Sequence, residues 1–162
     1  MKKYFHILLA CIVASSCCNG SSVVDKGYAH AEKQLAVALV KADSVIAESW
    51  PKGDTLVSPR TFEKGKFKML EAKAWTSGFF PGSLWYIYEY AGNSQIKTFA
   101  DEYTSFLEVE RNNTGTHDIG FMMYCSYGNS NRLFPDDAKR QILINSADAL
   151  CSRFNQEVGC IK

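Results

Sequence analysis

With 162 residues, of which 46% are hydrophobic and 13% aromatic, the chain has enough apolar material for one domain with a packed core, which excludes a disordered tail. Its formal charge of +1 comes from 18 basic and 17 acidic residues with no basic run, so it lacks the electrostatic footprint of a nucleic-acid binder.

Lys2 and Lys3 precede the apolar run Ile7 to Val13, and small residues then lead to Cys17. That order predicts an export signal over residues 1–16, because the run is too short to span a bilayer. The segment "VASSC" resembles the lipobox of bacterial lipoproteins, which implies cleavage before Cys17 and a lipid on its sulfur. Ala14 stands where Leu is commoner and Cys18 follows at once, so a plain secretory signal cut near the same place is the alternative. Either cut removes two Lys and no acid, leaving 16 bases against 17 acids and a formal charge of −1. Cys11 goes with the signal. Cys18, Cys125, Cys151 and Cys160 show neither CxxC spacing nor His partners, which argues against zinc. Cys125 and Cys151 fall in apolar helical patterns and are expected in the core. An oxidising compartment permits a disulfide between two of the cysteines, which the sequence does not pair.

Residues 17–27 read as a Gly/Ser tether. A helix is expected from near Tyr28 to about Trp50, where Leu35, Ala38, Leu39, Ala42, Val45 and Ile46 form one stripe and Pro51 stops it. Residues 51–77, with Pro51, Gly53, Pro59 and Gly65, are expected to form a long connection rather than a regular element. In "WTSGFFPGSLWYIYEYAGN" Pro81 sits just inside a helix start and Gly92 just past its end. Leu84, Trp85, Tyr86, Ile87, Tyr88 and Tyr90 leave that helix no polar face but Glu89, so other helices must wrap it.

From Ser94 to about Arg111, Ile96, Phe99, Tyr103, Phe106 and Leu107 mark a single stripe again. "HDIGFMMYCSYG" is then apolar nearly all round. From Pro135 to about Phe154, Leu143, Ala147, Leu150, Cys151 and Phe154 return to one stripe, with Asp136 and Asp137 in the first turn. Amphipathic and all-apolar helices thus alternate, as two concentric layers of antiparallel helices require, and the expected class is all-α. No strand shows sustained alternation and no Gly-rich phosphate loop occurs.

The pairing of "WTSGFFPGSLWYIYEYAGN" with the later "TGTHDIGFMMYCSYGN" resembles glycoside hydrolase family 88, the unsaturated glucuronyl hydrolases. The likeness runs from residue 28 to the end. It implies an (α/α)6 barrel with alternating inner and outer helices, in accord with the layers read from the pattern. Family 105, which acts on pectin fragments, shares that fold, but the HDxGF motif is closer to family 88. The resemblance implies removal of a 4,5-unsaturated uronic acid from oligosaccharides made by polysaccharide lyases, most of all glycosaminoglycan-type fragments, by hydration of the C4=C5 vinyl ether. Its partners would be those oligosaccharides and, through the lipid anchor, a membrane. The implied location is the periplasm or outer membrane of a Gram-negative bacterium. No metal or organic cofactor is indicated.

Residue by residue, Asp118 matches the acid of HDxGF, one of two aspartates tied to catalysis in the family. On the residues alone a helix N-cap or first-turn acid explains it equally well. His117 would help hold the substrate, the alternative being a hydrogen-bonded loop residue. Trp75, opening WTxGF, would stack on a sugar face, the alternative being a core role. Phe79, Phe80 and Trp85 are expected to pack, and Gly78, Gly82 and Gly120 to mark close backbone approaches.

The family's second aspartate is expected beyond Lys162, since Asp136, Asp137 and Asp148 belong to an outer, solvent-facing helix. With about five helices where the barrel has twelve, residues 28–162 are expected to be the N-terminal portion of a longer hydrolase domain, inactive alone. A non-catalytic carbohydrate-binding helical lipoprotein and a nonfunctional truncated remnant are the alternatives.

Overall fold

The computed structural model describes residues 22–49 and 56–161. The expected signal, the lipidation site Cys17, Cys18 and the first part of the tether lie outside the described residues.

The first helix, α1 (Val23–Ser49), begins earlier than the Tyr28 expected, within the stretch read as tether. A reciprocal cap explains the early start. The Asp25 amide donates to Ser22 Oγ at 3.1 Å, and the Ser22 amide donates to Asp25 Oδ2 at 2.7 Å. Two amides that the helix cannot satisfy itself are thereby bonded. The Tyr90 hydroxyl also donates to Asp25, and the Tyr28 and Tyr90 rings stack with centroids 3.8 Å apart. Further along, Leu39 and Ala42 are buried and Leu35, Ala38, Val45 and Ile46 half-buried, so the stripe faces inward as its spacing predicts.

The expected long connection instead contains an antiparallel hairpin, β1 (Leu56–Glu63) and β2 (Lys66–Glu71). Its turn places Lys64 at φ 50° and Gly65 at φ 78°, the left-handed pair that matches the twist of a two-residue hairpin loop. Lys in the first left-handed position hides this turn from a search for Asn-Gly or Asp-Gly. Register shifts between Leu56 and Ser58, and again between Pro59 and Thr61, put the neighbours Val57 and Ser58 both inside and break the alternation a strand should show. Phe67 and Met69 of β2 pack on the cluster that also receives Leu39 and Ala42.

Helix α2 (Phe79–Ala91) ends at Gly92, whose φ of 68° lets its amide donate to the Tyr88 carbonyl at 2.8 Å. Asn93 then caps α3 (Ser94–Ser105), accepting from the amides of Gln95 and Ile96. This helix stops before the expected Arg111; a turn at Phe106 and Leu107 leads into the 3₁₀ turn Glu108–Glu110. Helix α4 (Ile119–Met123), a π-helical segment (Tyr124–Gly128) and α5 (Asn129–Leu133) run on without a break. Asp136 caps α6 (Asp137–Cys151), and a two-residue hairpin, β3 (Phe154–Asn155) with β4 (Cys160–Ile161), follows it.

Helix α2 borders α1, α3 and the α4–α5 run, and the π segment and α4 in turn border α6. The inner and outer alternation expected from the sequence is therefore present, with the β1–β2 hairpin added to it. Trp85, fully buried on α2, donates its indole N–H to Thr104 Oγ1 of α3 at 2.9 Å, so its one polar group is satisfied inside the core.

Three expectations are corrected. On α6 the buried residues are Ile142, Ser146 and Ala149, and Leu143 and Leu150 of the expected stripe are half-buried against the core, while Ala147 and Cys151 are exposed, so the inward stripe is rotated from the one expected. Phe154, also exposed, lies beyond the helix on β3. Cys151 is therefore a surface thiol and not a core residue, and Cys125 is half-buried. Gly78 and Gly82 do sit at close approaches, but a side chain on Gly120 would meet nothing within 4 Å.

Candidate functional site

The segment leading to α4 is held by its own short-range polar contacts. The Asn113 side chain donates to Glu110 Oε2 at 2.6 Å and accepts from the Gly115 amide at 2.7 Å. From the end of α6, Arg153 donates to the Thr114 carbonyl at 2.6 Å. The Asp118 amide then donates to Thr116 Oγ1 at 3.0 Å, and the Asp118 carbonyl accepts from Phe121 and Met122 to open α4. Although Asp118 stands at the N-cap, its carboxylate makes no capping bond. It receives Thr116 Oγ1 on Oδ2 at 3.4 Å and lies 3.4 Å from His117 Nε2 through Oδ1. The structural role that explains such an acid most simply is not the one this carboxylate fills.

Asp118 is 24% exposed in its side chain and opens into a groove of about 470 Å³. Trp75, Thr116, Met69 and Leu70 line it with Asp118, and Glu71 and Lys73 form an ion pair of 2.5 Å at its edge. Trp75, nearly half exposed, meets Phe79 and Phe121 edge to face with centroids 5.7 and 6.0 Å away, and those two rings stand 5.9 Å apart. This aromatic group leaves an indole accessible beside a carboxylate, an arrangement suited to the apolar face and polar rim of a sugar.

The structure thus brings Asp118 and Trp75 to one groove. His117 touches the carboxylate but is 69% exposed in its side chain and is not part of the groove lining. Phe80 and Trp85 pack inside as expected, whereas Phe79 belongs to the aromatic group at the site. Asp136, Asp137 and Asp148 are all exposed on α6 and none lines the groove. Sequence reasoning missed Thr116 and the hairpin residues Met69, Leu70 and Glu71; the hairpin itself was hidden by its bulges.

A larger groove of about 570 Å³ lies between Tyr86, Tyr124, Asn129, Asn131 and Arg132. It is lined by no carboxylate, and the Arg132 guanidinium is committed to Glu89 through two bonds of 2.7 Å. The smaller groove is the better candidate for acid chemistry. Among the described residues no group of three His, Cys, Asp or Glu side chains is placed to hold a metal ion, and no helix is long and apolar enough to cross a membrane.

No family model matches the chain. It is 44% identical over 92 residues to an unsaturated glucuronyl hydrolase of Formosa agariphila, a match covering 56% of this chain and 23% of that protein. An unsaturated chondroitin disaccharide hydrolase of Streptococcus agalactiae is 31% identical over 113 residues, covering 68% and 28%. Among solved structures, an unsaturated glucuronyl hydrolase specific for heparin superposes with a TM-score of 0.63 at 36% identity, covering 75% of this chain and 33% of that one. The chain therefore spans about a quarter of the length of the curated relatives it matches.

Proposed function

Because this chain belongs to the unsaturated glucuronyl hydrolases, of whose (α/α)6 barrel its helices form a part, we propose that its gene product removes the 4,5-unsaturated uronic acid from oligosaccharides made by polysaccharide lyases. Glycosaminoglycan-type fragments are the favoured class, since relatives are named for chondroitin disaccharides and for heparin. The observation that carries the reading is the shared groove of Asp118 and Trp75, in which the carboxylate is free of capping duty.

In this proposal the indole of Trp75 takes the face of the unsaturated sugar. A proton is delivered to C4, positive charge develops at C5 and the ring oxygen, water adds at C5, and the hemiketal opens to release the neighbouring sugar. Asp118 supplies negative charge beside the developing cation, in a groove walled by Met69, Leu70 and the indole. A second carboxyl group, delivering the proton and activating water, belongs to the part of the relatives' length that this chain does not cover. His117, in contact with Asp118 and open to solvent, holds the substrate's polar rim.

The test is the ultraviolet absorbance of the conjugated alkene when the intact gene product meets lyase-generated disaccharides. The expected result is loss of absorbance with a glycosaminoglycan substrate and a fall of about 10² or more in rate for Asp118→Asn, the scale of a lost electrostatic stabiliser of the transition state. No loss with glycosaminoglycan or plant-type fragments overturns the reading. An Asp118→Asn variant that retains full activity would move catalysis elsewhere.

For the residues before Ser22, we propose export and lipid attachment at Cys17, supported by Lys2, Lys3 and the apolar run Ile7 to Val13. Metabolic labelling with a radioactive fatty acid should mark the protein and fail to mark Cys17→Ala.

A further inference from the structure

We propose that Thr116 is the positioning residue for the Asp118 carboxylate, an inference that rests on the reading of Asp118 as the acid of the site. One hydroxyl does two things at once. Its lone pair accepts the Asp118 amide at 3.0 Å, and its proton points to Asp118 Oδ2 at 3.4 Å.

Those contacts decide where the carboxylate goes. An aspartate at the start of a helix ordinarily turns back onto the amides of the first turn, which are otherwise unbonded. Asp136 does so at the start of α6, accepting from the Ala138 and Lys139 amides at 2.8 and 3.1 Å. Asp118 occupies the same position on α4 and makes no such bond. Its own backbone amide is already taken by Thr116, and the same hydroxyl draws Oδ2 away from the helix and toward the groove that Thr116 itself lines.

The hydroxyl is also held from outside. Arg153 fixes the Thr114 carbonyl at 2.6 Å and Asn113 fixes the Gly115 amide at 2.7 Å, so the two residues before Thr116 are both tied down. The 3.4 Å contact is long, as bonds to catalytic groups often are before substrate arrives.

Three proteins decide it: the parent, Thr116→Ser, which keeps the hydroxyl, and Thr116→Val, which keeps the shape without it. With the intact gene product and an unsaturated disaccharide, T116V should lose about tenfold in kcat with KM within about twofold, and T116S should stay within about twofold of the parent in both. The second readout is independent of activity. By NMR, Asp118 should show one χ1 rotamer in the parent and T116S, and rotamer averaging with faster amide exchange in T116V. If T116V does not fold, Thr116→Ala replaces it in both measurements.

Parent-like kcat and a fixed rotamer in T116V overturn the proposal, as does a T116S as impaired as T116V. If the parent itself has no activity, the catalytic reading of Asp118 fails. The rotamer measurement then stands alone: averaging in T116V upholds the role of the hydroxyl, and its absence removes it.

Discussion

Gly78 lies so close to the backbone of Met122 that a methyl group on its Cα would come within 2.3 Å of the Met122 carbonyl oxygen. The Phe121 carbonyl would be equally near, and at Gly82 the Cys125 carbonyl would be 2.9 Å away. The WTSGF segment and the helix opened by Asp118 therefore meet backbone to backbone over a full turn. The two motifs that carry the family likeness are halves of one contact, and that contact sets the distance between Trp75 and Asp118.

Gly78→Ala should consequently destabilise the chain by about 1–3 kcal/mol or more, since backbone carbonyls cannot swing away as a side-chain end could. Gly120→Ala is the contrast, because nothing lies within 4 Å of its added methyl and the residue is helical. Replacing a helical Gly by Ala there should be neutral or gain up to about 1 kcal/mol. Urea unfolding of the two variants, read by tryptophan fluorescence, gives opposite signs if the packing is as described. Equal and small effects would mean that α2 and α4 are further apart.

The Trp85 indole N–H has its partner in Thr104 Oγ1, both groups being buried. Thr104→Val keeps the volume and strands that donor, at a cost of about 1–3 kcal/mol, while Thr104→Ser keeps the acceptor and loses only a methyl group. Denaturant midpoints should therefore rank parent, then T104S, then T104V. A T104V that melts with the parent would place the indole N–H against another acceptor.

The layered body of the fold was legible because its helices carry their instructions locally. Leu39 and Ala42 lie on the predicted stripe of α1, and Gly92 ends α2 where a left-handed residue was needed. On α6 the same reading chose Ala147 and Cys151 over Ser146, yet Ser146 goes inside, its hydroxyl bonded to the Leu143 carbonyl of its own helix at 2.9 Å. A small hydroxyl that satisfies itself on the backbone can occupy a core position, and hydrophobic periodicity passes over it. The hairpin escaped notice for a different reason, its bulges at Leu56–Ser58 and Pro59–Thr61, and with it went Met69, Leu70 and Glu71 of the groove wall. Periodicity identified none of the site residues. Asp118 and Trp75 stand out through the paired motifs, whereas Thr116 becomes visible only when its two bonds to Asp118 are seen.

Across the exposed surface, Arg132 holds both oxygens of Glu89, which keeps that carboxyl below its usual range, the hydrogen bonds from Arg132 being the main cause. A depressed carboxylate pKa contributes stability that is present above the unfolded value, about 4.5, and lost as the pH falls through the folded one. The melting temperatures of the parent and Glu89→Gln should differ slightly near neutral pH and converge in acid. The pair is open to solvent, so added salt should shrink the difference as well. A gap that persists in acid would show that Glu89 acts through packing.

At the alkaline end the corresponding group is Tyr127, buried in the second core cluster with Leu107, Ile119 and Met122. Burial pushes its phenol from 10.0 up to about 12, the Glu108 carboxylate adds to the rise, and Arg111 opposes it. For a raised pKa the linkage runs opposite to that of Glu89. The stability it confers is complete below about pH 10 and disappears as the pH climbs toward 12, because the unfolded chain ionises first. In a phenolate absorbance titration the ionisation of the buried Tyr127 should coincide with loss of structure. Tyr127→Phe cannot ionise, so it should unfold at a higher pH than the parent and remove one late phenolate from the titration. A parent and variant that lose structure at the same pH would assign alkaline unfolding to other groups, of which Tyr103, also raised by burial and by the Asp43 carboxylate it bonds at 2.9 Å, is the next to test.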